Sequence, residues 1–132
     1  MQIINLLNTV RRQVIALGIV GLLILGGTAW SLRAFQNRLT VENHSGQAVS
    51  LLMIGVYGSS SSFMFENMPD GSRASASFSI VRDGGFYVHG FLADKTNITG
   101  GYYGYVTNGM YGEHAHFVVK QGGGLDFSQG RD

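Results

Sequence analysis

The chain has 132 residues, with nine Lys or Arg against eight Asp or Glu, twenty Gly, one Pro and no Cys. The absence of cysteine excludes a disulfide framework, a Cys-ligated zinc site, a lipid-bearing cysteine and a thiol nucleophile, and it favours a bacterial source over a disulfide-stapled secreted animal domain. Residues 38–132 hold six basic and eight acidic residues, without the clustered Lys and Arg of a nucleic-acid footprint, so no nucleic-acid partner is expected.

Residues 13–32, QVIALGIVGLLILGGTAWSL, carry no charge. At ~1.5 Å rise per residue such a stretch crosses a hydrocarbon core of ~30 Å. Arg11 and Arg12 precede it and Trp30 stands near its far end, the places where basic and interfacial aromatic residues belong. The expectation is a single-pass signal-anchor helix over residues 13–32 whose partner is the lipid bilayer. Residues 1–12 form a short cytoplasmic tail, residues 33–37 a linker, and the remaining chain lies on the periplasmic or extracellular side of the cytoplasmic membrane. The alternative is a signal peptide cut after Ala29, where Gly27, Thr28 and Ala29 supply the small residues that cleavage needs, releasing the domain.

After residue 37 a period of two replaces the helical pattern. In 38–43 Leu39 and Val41 share one face and Thr40 and Glu42 the other, which predicts a strand. Residues 44–47 make a turn. Residues 48–57, AVSLLMIGVY, are apolar on both faces and predict a central strand covered on each side. A serine-rich flexible loop (59–62) leads to an alternating strand, 63–68, and Pro69-Asp70-Gly71-Ser72 makes a turn. Residues 73–81 alternate most cleanly, with Ala74, Ala76, Phe78 and Ile80 opposite Arg73, Ser75, Ser77 and Ser79. Asp83-Gly84 predicts a hairpin into 86–92, and Asn108-Gly109 predicts a two-residue hairpin between 97–107 and 110–120. A short last stretch, 125–127, precedes a flexible tail, 128–132.

About seven strands at intervals of about 8–12 residues predict a small antiparallel β-sandwich over residues 38–127. Its architecture resembles immunoglobulin-like or transthyretin-like sandwiches in outline only, since the Cys–Trp–Cys pattern of the former is missing.

The richest stretch for chemistry is 100–117, GGYYGYVTNGMYGEHAHF. With a two-residue turn at Asn108-Gly109, Tyr103 faces His114 and alternation puts Tyr103, Tyr105, His114 and His116 on one surface. Tyrosine offers large contact area at low entropic cost, so these four are the candidate binding residues for an envelope protein partner. His114 and His116, two apart on a strand, are also candidate ligands for Cu or Zn, with Glu113 on the opposite face unless a bulge intervenes. Gly-x-Ser-x-Gly, phosphate-loop and calcium-loop patterns are absent, and the acidic residues stand mostly in turns. The domain is therefore expected to be a non-catalytic interaction or assembly module without a cofactor, a periplasmic metal-binding domain being the alternative.

Overall fold

The computed structural model describes residues 36–57, 59 and 61–131, together with Ile15. The expected tail, anchor and most of the linker lie outside these residues. Among the described residues no helix is long and apolar enough to cross a membrane. A unit boundary falls between Phe35 and Gln36, and the strands belong to the unit after it.

Eight strands build that unit: β1 Asn37–His44, β2 Val49–Val56, β3 Ser62–Met68, β4 Arg73–Phe78, β5 Gly84–Leu92, β6 Asn97–Val106, β7 Glu113–Lys120 and β8 Leu125–Arg131. They form two four-stranded sheets, β4-β1-β7-β8 and β3-β2-β5-β6. The fold is all-β, and β7 shows most plainly the period-two signal that local sequence supplies. In β7 Glu113, Ala115, Phe117 and Val119 are buried while His114, His116 and Val118 are not.

Between the sheets lie Leu39 and Val41 of β1, Leu52, Ile54 and Val56 of β2, Phe86 and Val88 of β5, and Phe117 and Val119 of β7. Phe86 touches Phe78, Phe117 and Phe127 with ring centroids 5.5, 5.8 and 5.9 Å apart. Aromatic pairs at these separations are worth about 0.5–1.5 kcal/mol each beyond area burial.

Several expectations are corrected. Eight strands are present where about seven were expected, because residues 128–131 continue β8 rather than forming a tail. Gln129 and Phe127 face inward there and the strand pairs along β7 from Glu113↔Arg131 to Val119↔Leu125. The sandwich is not purely antiparallel: β1 runs parallel to β7 from Arg38↔His114 to His44↔Lys120. A parallel pair needs a long crossover, and here the whole second sheet is traversed between the two strands.

Neither expected hairpin forms. Asp83-Gly84 connects β4 to β5, and Asn108-Gly109 connects β6 to β7, so each joins one sheet to the other. At Asn108-Gly109 the Met110 amide donates to the Thr107 carbonyl at 3.1 Å, but only Gly109 has positive φ, +85°. A type I′ hairpin turn needs positive φ at both central residues. The chain instead steps across the sandwich, where Asn37 holds the crossover by donating to the Met110 carbonyl and accepting from the Glu113 amide. Asp83, expected to serve a hairpin turn, accepts from the Asn108 amide and from the Tyr105 hydroxyl, both at 3.1 Å.

The serine loop is locally hydrogen-bonded, with Ser59 Oγ donating to Ser61 Oγ at 2.8 Å and accepting from the Ser61 amide. β2 lies centrally between β3 and β5 as expected. Its second apolar face is turned away from the other sheet, however: Leu51 is half-buried and Met53 is 39% exposed.

Candidate functional site

The four residues expected on one hairpin face separate. Tyr103 pairs with Phe86 of β5 and packs its ring against Phe117 and Phe127, at 5.8 and 5.6 Å, while its hydroxyl donates to the Thr99 carbonyl at 3.0 Å. Tyr105, two residues on, is exposed and turned aside. Gly104 between them has φ +61°, and the β5–β6 register shifts there, so a bulge cancels the alternation. The Tyr105 hydroxyl's bond to Asp83 raises its pKa above the ordinary 10.0.

His114 and His116 do share a face, as their spacing requires, but it is the outer face of the other sheet. Tyr103 and His116 still line one depression of about 580 Å³ along β8. Its aromatic members, Tyr103 and Phe127, are committed to packing within the sandwich.

That outer face of β4-β1-β7-β8 is polar. His116 lies beside Thr40 and Ser128, and Thr40 Oγ1 is 3.1 Å from Ser75 Oγ. Glu42 gathers the charges: His44 Nε2 stands 3.1 Å from one carboxylate oxygen, and His116 Nε2 and Arg73 Nε stand 3.3 and 3.6 Å from the other. The His44 hydrogen bond is the main cause that lowers the Glu42 pKa from 4.5, outweighing desolvation, and the charges of His116 and Arg73 add to it. His116 Nε2, shielded from water, has no properly aligned hydrogen-bond partner; its approach to Glu42 is a matter of charge when the imidazole is protonated. Among the described residues no group of three or more His, Asp or Glu is placed to hold a metal ion. Lys120 and Asp126 complete the face with an ion pair.

The outer face of β3-β2-β5-β6 is its opposite in chemistry. Three rows cross it. Ser62, Gly55, Tyr87 and Tyr102 form the first. Met64, Met53 and His89 form the second, running on to a bulge of β6 near Gly100. Glu66, Leu51, Phe91 and Asn97 form the third. Met64 is 58% exposed, Tyr87 47% and Tyr102 75%. The two tyrosine rings lean on one another with centroids 5.4 Å apart. Beside them an open cleft of about 360 Å³ is bounded by Gly55, Tyr57, Ser62, Arg82, Tyr87 and Tyr102. Exposed apolar residues scattered singly are ordinary; here Met53, Met64, Tyr87 and Tyr102 are gathered on one face.

Strand-by-strand reading of the sequence misses this surface although its signal is present. Residues 48–57 are apolar on both faces, and in a two-layer sandwich only one face can meet the other sheet. The second face, Leu51 and Met53, is the one left over.

A solution NMR structure of a protein from Eubacterium rectale is similar in fold, with a TM-score of 0.52 at 7% sequence identity over 74% of this chain and 90% of that one. At that identity the likeness is one of fold alone. No family model and no curated protein matches the chain.

Proposed function

We propose that this chain is a non-catalytic, membrane-anchored envelope protein whose periplasmic sandwich binds another protein through the outer face of β3-β2-β5-β6. One observation carries the reading: of the two outer faces, one is polar and holds the Glu42 and Lys120–Asp126 ion pairs, and the other presents Met53, Met64, Tyr87 and Tyr102 to solvent. Tyrosine and methionine are enriched at the centres of interfaces, where Lys, Glu and Asp are depleted. The surface of Tyr103, Tyr105, His114 and His116 is replaced in this reading, because only His114 and His116 share a face.

The uncharged run 13–32 and the arginines before it support the anchor. Of the two architectures the strand pattern resembles, the transthyretin-like one is favoured. In the immunoglobulin order the first strand pairs with the second, whereas here β1 and β2 belong to different sheets.

The test is site-specific photocrosslinking of the full-length chain in membranes. A photoreactive Met64→benzoylphenylalanine chain is expected to give a discrete protein adduct, and Ser75→benzoylphenylalanine, on the other sheet, is expected to give none. Equal labelling from both positions, or none from position 64, would defeat the proposal.

A further inference from the structure

The three rows of the apolar face are self-complementary, and we propose that its partner is a second copy of this chain, docked face to face about a two-fold axis parallel to the strands. The inference rests on reading that face as a docking surface and names its occupant.

An in-plane axis between β2 and β5 lays β3 over the partner copy's β6, and β2 over its β5, each row facing the same row. In the first row Ser62 and Gly55 are small, while Tyr87 and Tyr102 are large. The rotation sets each copy's tyrosine pair over the hollow formed by the other's Ser62 and Gly55. That hollow is the cleft of about 360 Å³ beside Tyr57 and Arg82. A Cβ built on Gly55 meets nothing within 4 Å, so the hollow is open where a ring would seat.

In the second row Met64 comes over the β6 bulge at Gly100, and Met53 over His89. In the third Leu51 meets Phe91, and the Glu66 carboxylate comes opposite the Asn97 amide, which can donate to it. In the first row large side chains oppose small ones, in the third apolar opposes apolar, and the one acidic group meets a donor.

An axis across the strands does worse. It would set Tyr87 over Phe91 and leave Gly55 over Leu51, bulk against bulk on one side. It would also place the two Asn37 ends at opposite poles. With the axis along the strands both chains begin at the same end, which two N-terminal tethers in one bilayer require.

The size of the face is consistent. Four strands at ~4.8 Å and the rise from Leu51 to Tyr57 at ~3.3 Å per residue give a face of roughly 20 Å by 20 Å. Two such faces cover roughly 800 Å² in projection, to which the relief of the methionine and tyrosine side chains adds, and this places the pair among small, weakly associating interfaces of about 1,200 Å² or less in total. Weak association of that kind is strengthened when both partners are held in one membrane at high effective concentration.

The absence of cysteine makes the test clean. Full-length chains carrying Ser62→Cys and Tyr102→Cys are co-expressed and oxidised in membranes, with Ser75→Cys and Ser128→Cys, on the other sheet, as the control pair. The mixed Ser62→Cys/Tyr102→Cys disulfide is expected to exceed the control pair, and either homodimeric disulfide, by about tenfold, equivalent to ~1.4 kcal/mol. Met64→Lys, at a site 58% exposed, is expected to keep the thermal transition of the parent and to return the yield to control level. A Ser62→Cys homodimer as the main product, or no excess of the mixed species, overturns the proposal. If the mixed species is missing while position 64 still photocrosslinks to a protein of another mass, the second copy is wrong and the docking face stands. If both are missing, the docking face falls too.

Discussion

Gln129 of β8 holds the Tyr105 peptide of β6 with its side-chain carboxamide, Nε2 donating to the Tyr105 carbonyl at 2.8 Å and Oε1 accepting from the Tyr105 amide at 3.2 Å. β6 and β8 are edge strands of different sheets, so one side chain does for Tyr105 what a neighbouring strand would do. The same Nε2 also donates to Glu113 Oε2 at 3.0 Å, and Glu113, only 3% exposed, is paired with Arg131. Bulge, edge strand and buried carboxylate are thus joined at one corner of the sandwich.

Replacing Gln129 with Ala removes both bonds to Tyr105 and one from a buried carboxylate. A loss of about 1–3 kcal/mol in unfolding free energy is expected, read from urea midpoints. Gln129→Glu is expected to cost more at neutral pH, because a second carboxylate then faces Glu113, and to recover part of that loss in acid. Equal effects of the two substitutions at every pH would show that charge at Glu113 plays no part.

Gly104 tests the bulge. It sits at φ +61°, and a Cβ there would lie 2.3 Å from Gln129 Oε1 and 2.6 Å from Phe127 Cζ. Gly104→Ala is expected to cost the left-handed backbone penalty of about 1–2 kcal/mol plus an overpacking cost of about 1–3 kcal/mol. Gly109, at φ +85° with nothing within 4 Å of its built Cβ, carries the backbone penalty alone. The difference between Gly104→Ala and Gly109→Ala in thermal melts therefore isolates the steric part, and no difference would remove it.

Acid should unfold the domain in part through Glu113. Burial pushes the Glu113 pKa up, but the hydrogen bonds from Arg131 and Gln129 and the Arg131 charge together leave it below the ordinary 4.5. A carboxylate with a lowered folded pKa takes up protons more readily in the unfolded chain. Its contribution is therefore complete above the unfolded value and disappears as pH falls through the folded one. Glu113→Gln is expected to be less stable than the parent at neutral pH and to lose less stability between about pH 5 and pH 3. Parallel acid limbs for parent and variant in denaturant titrations would contradict this.

Asn43 closes the far pole. It is fully buried, its Nδ2 donates to the Gln47 and Met68 carbonyls at 2.8 and 2.9 Å, and its Oδ1 accepts from Ser45 Oγ and the Ser45 amide. Its backbone exchanges bonds with Gly71 and Ser72, tying the turn after β1 to the turn before β4. Asn43→Ala strands several buried polar groups and is expected to cost about 3 kcal/mol. Asn43→Asp keeps the shape but turns a carboxylate towards two carbonyls, so calorimetric melts should show a comparable loss at neutral pH that eases in acid.

Local periodicity made the strands and their inward residues readable in advance, because the two-residue alternation of a strand is written in neighbouring positions. Leu39 and Val41 point inward, and His114 and His116 share a face, for that reason alone. Sheet membership was not readable. Whether Asn108-Gly109 folds β7 back on β6 or sends it across depends on the backbone sign at Asn108, and Asn37, over seventy residues away, helps hold the crossover. The same holds for function: the chain spelled out two apolar faces on β2, and only the stacking of the two sheets decided that Ile54 is core and Met53 is surface.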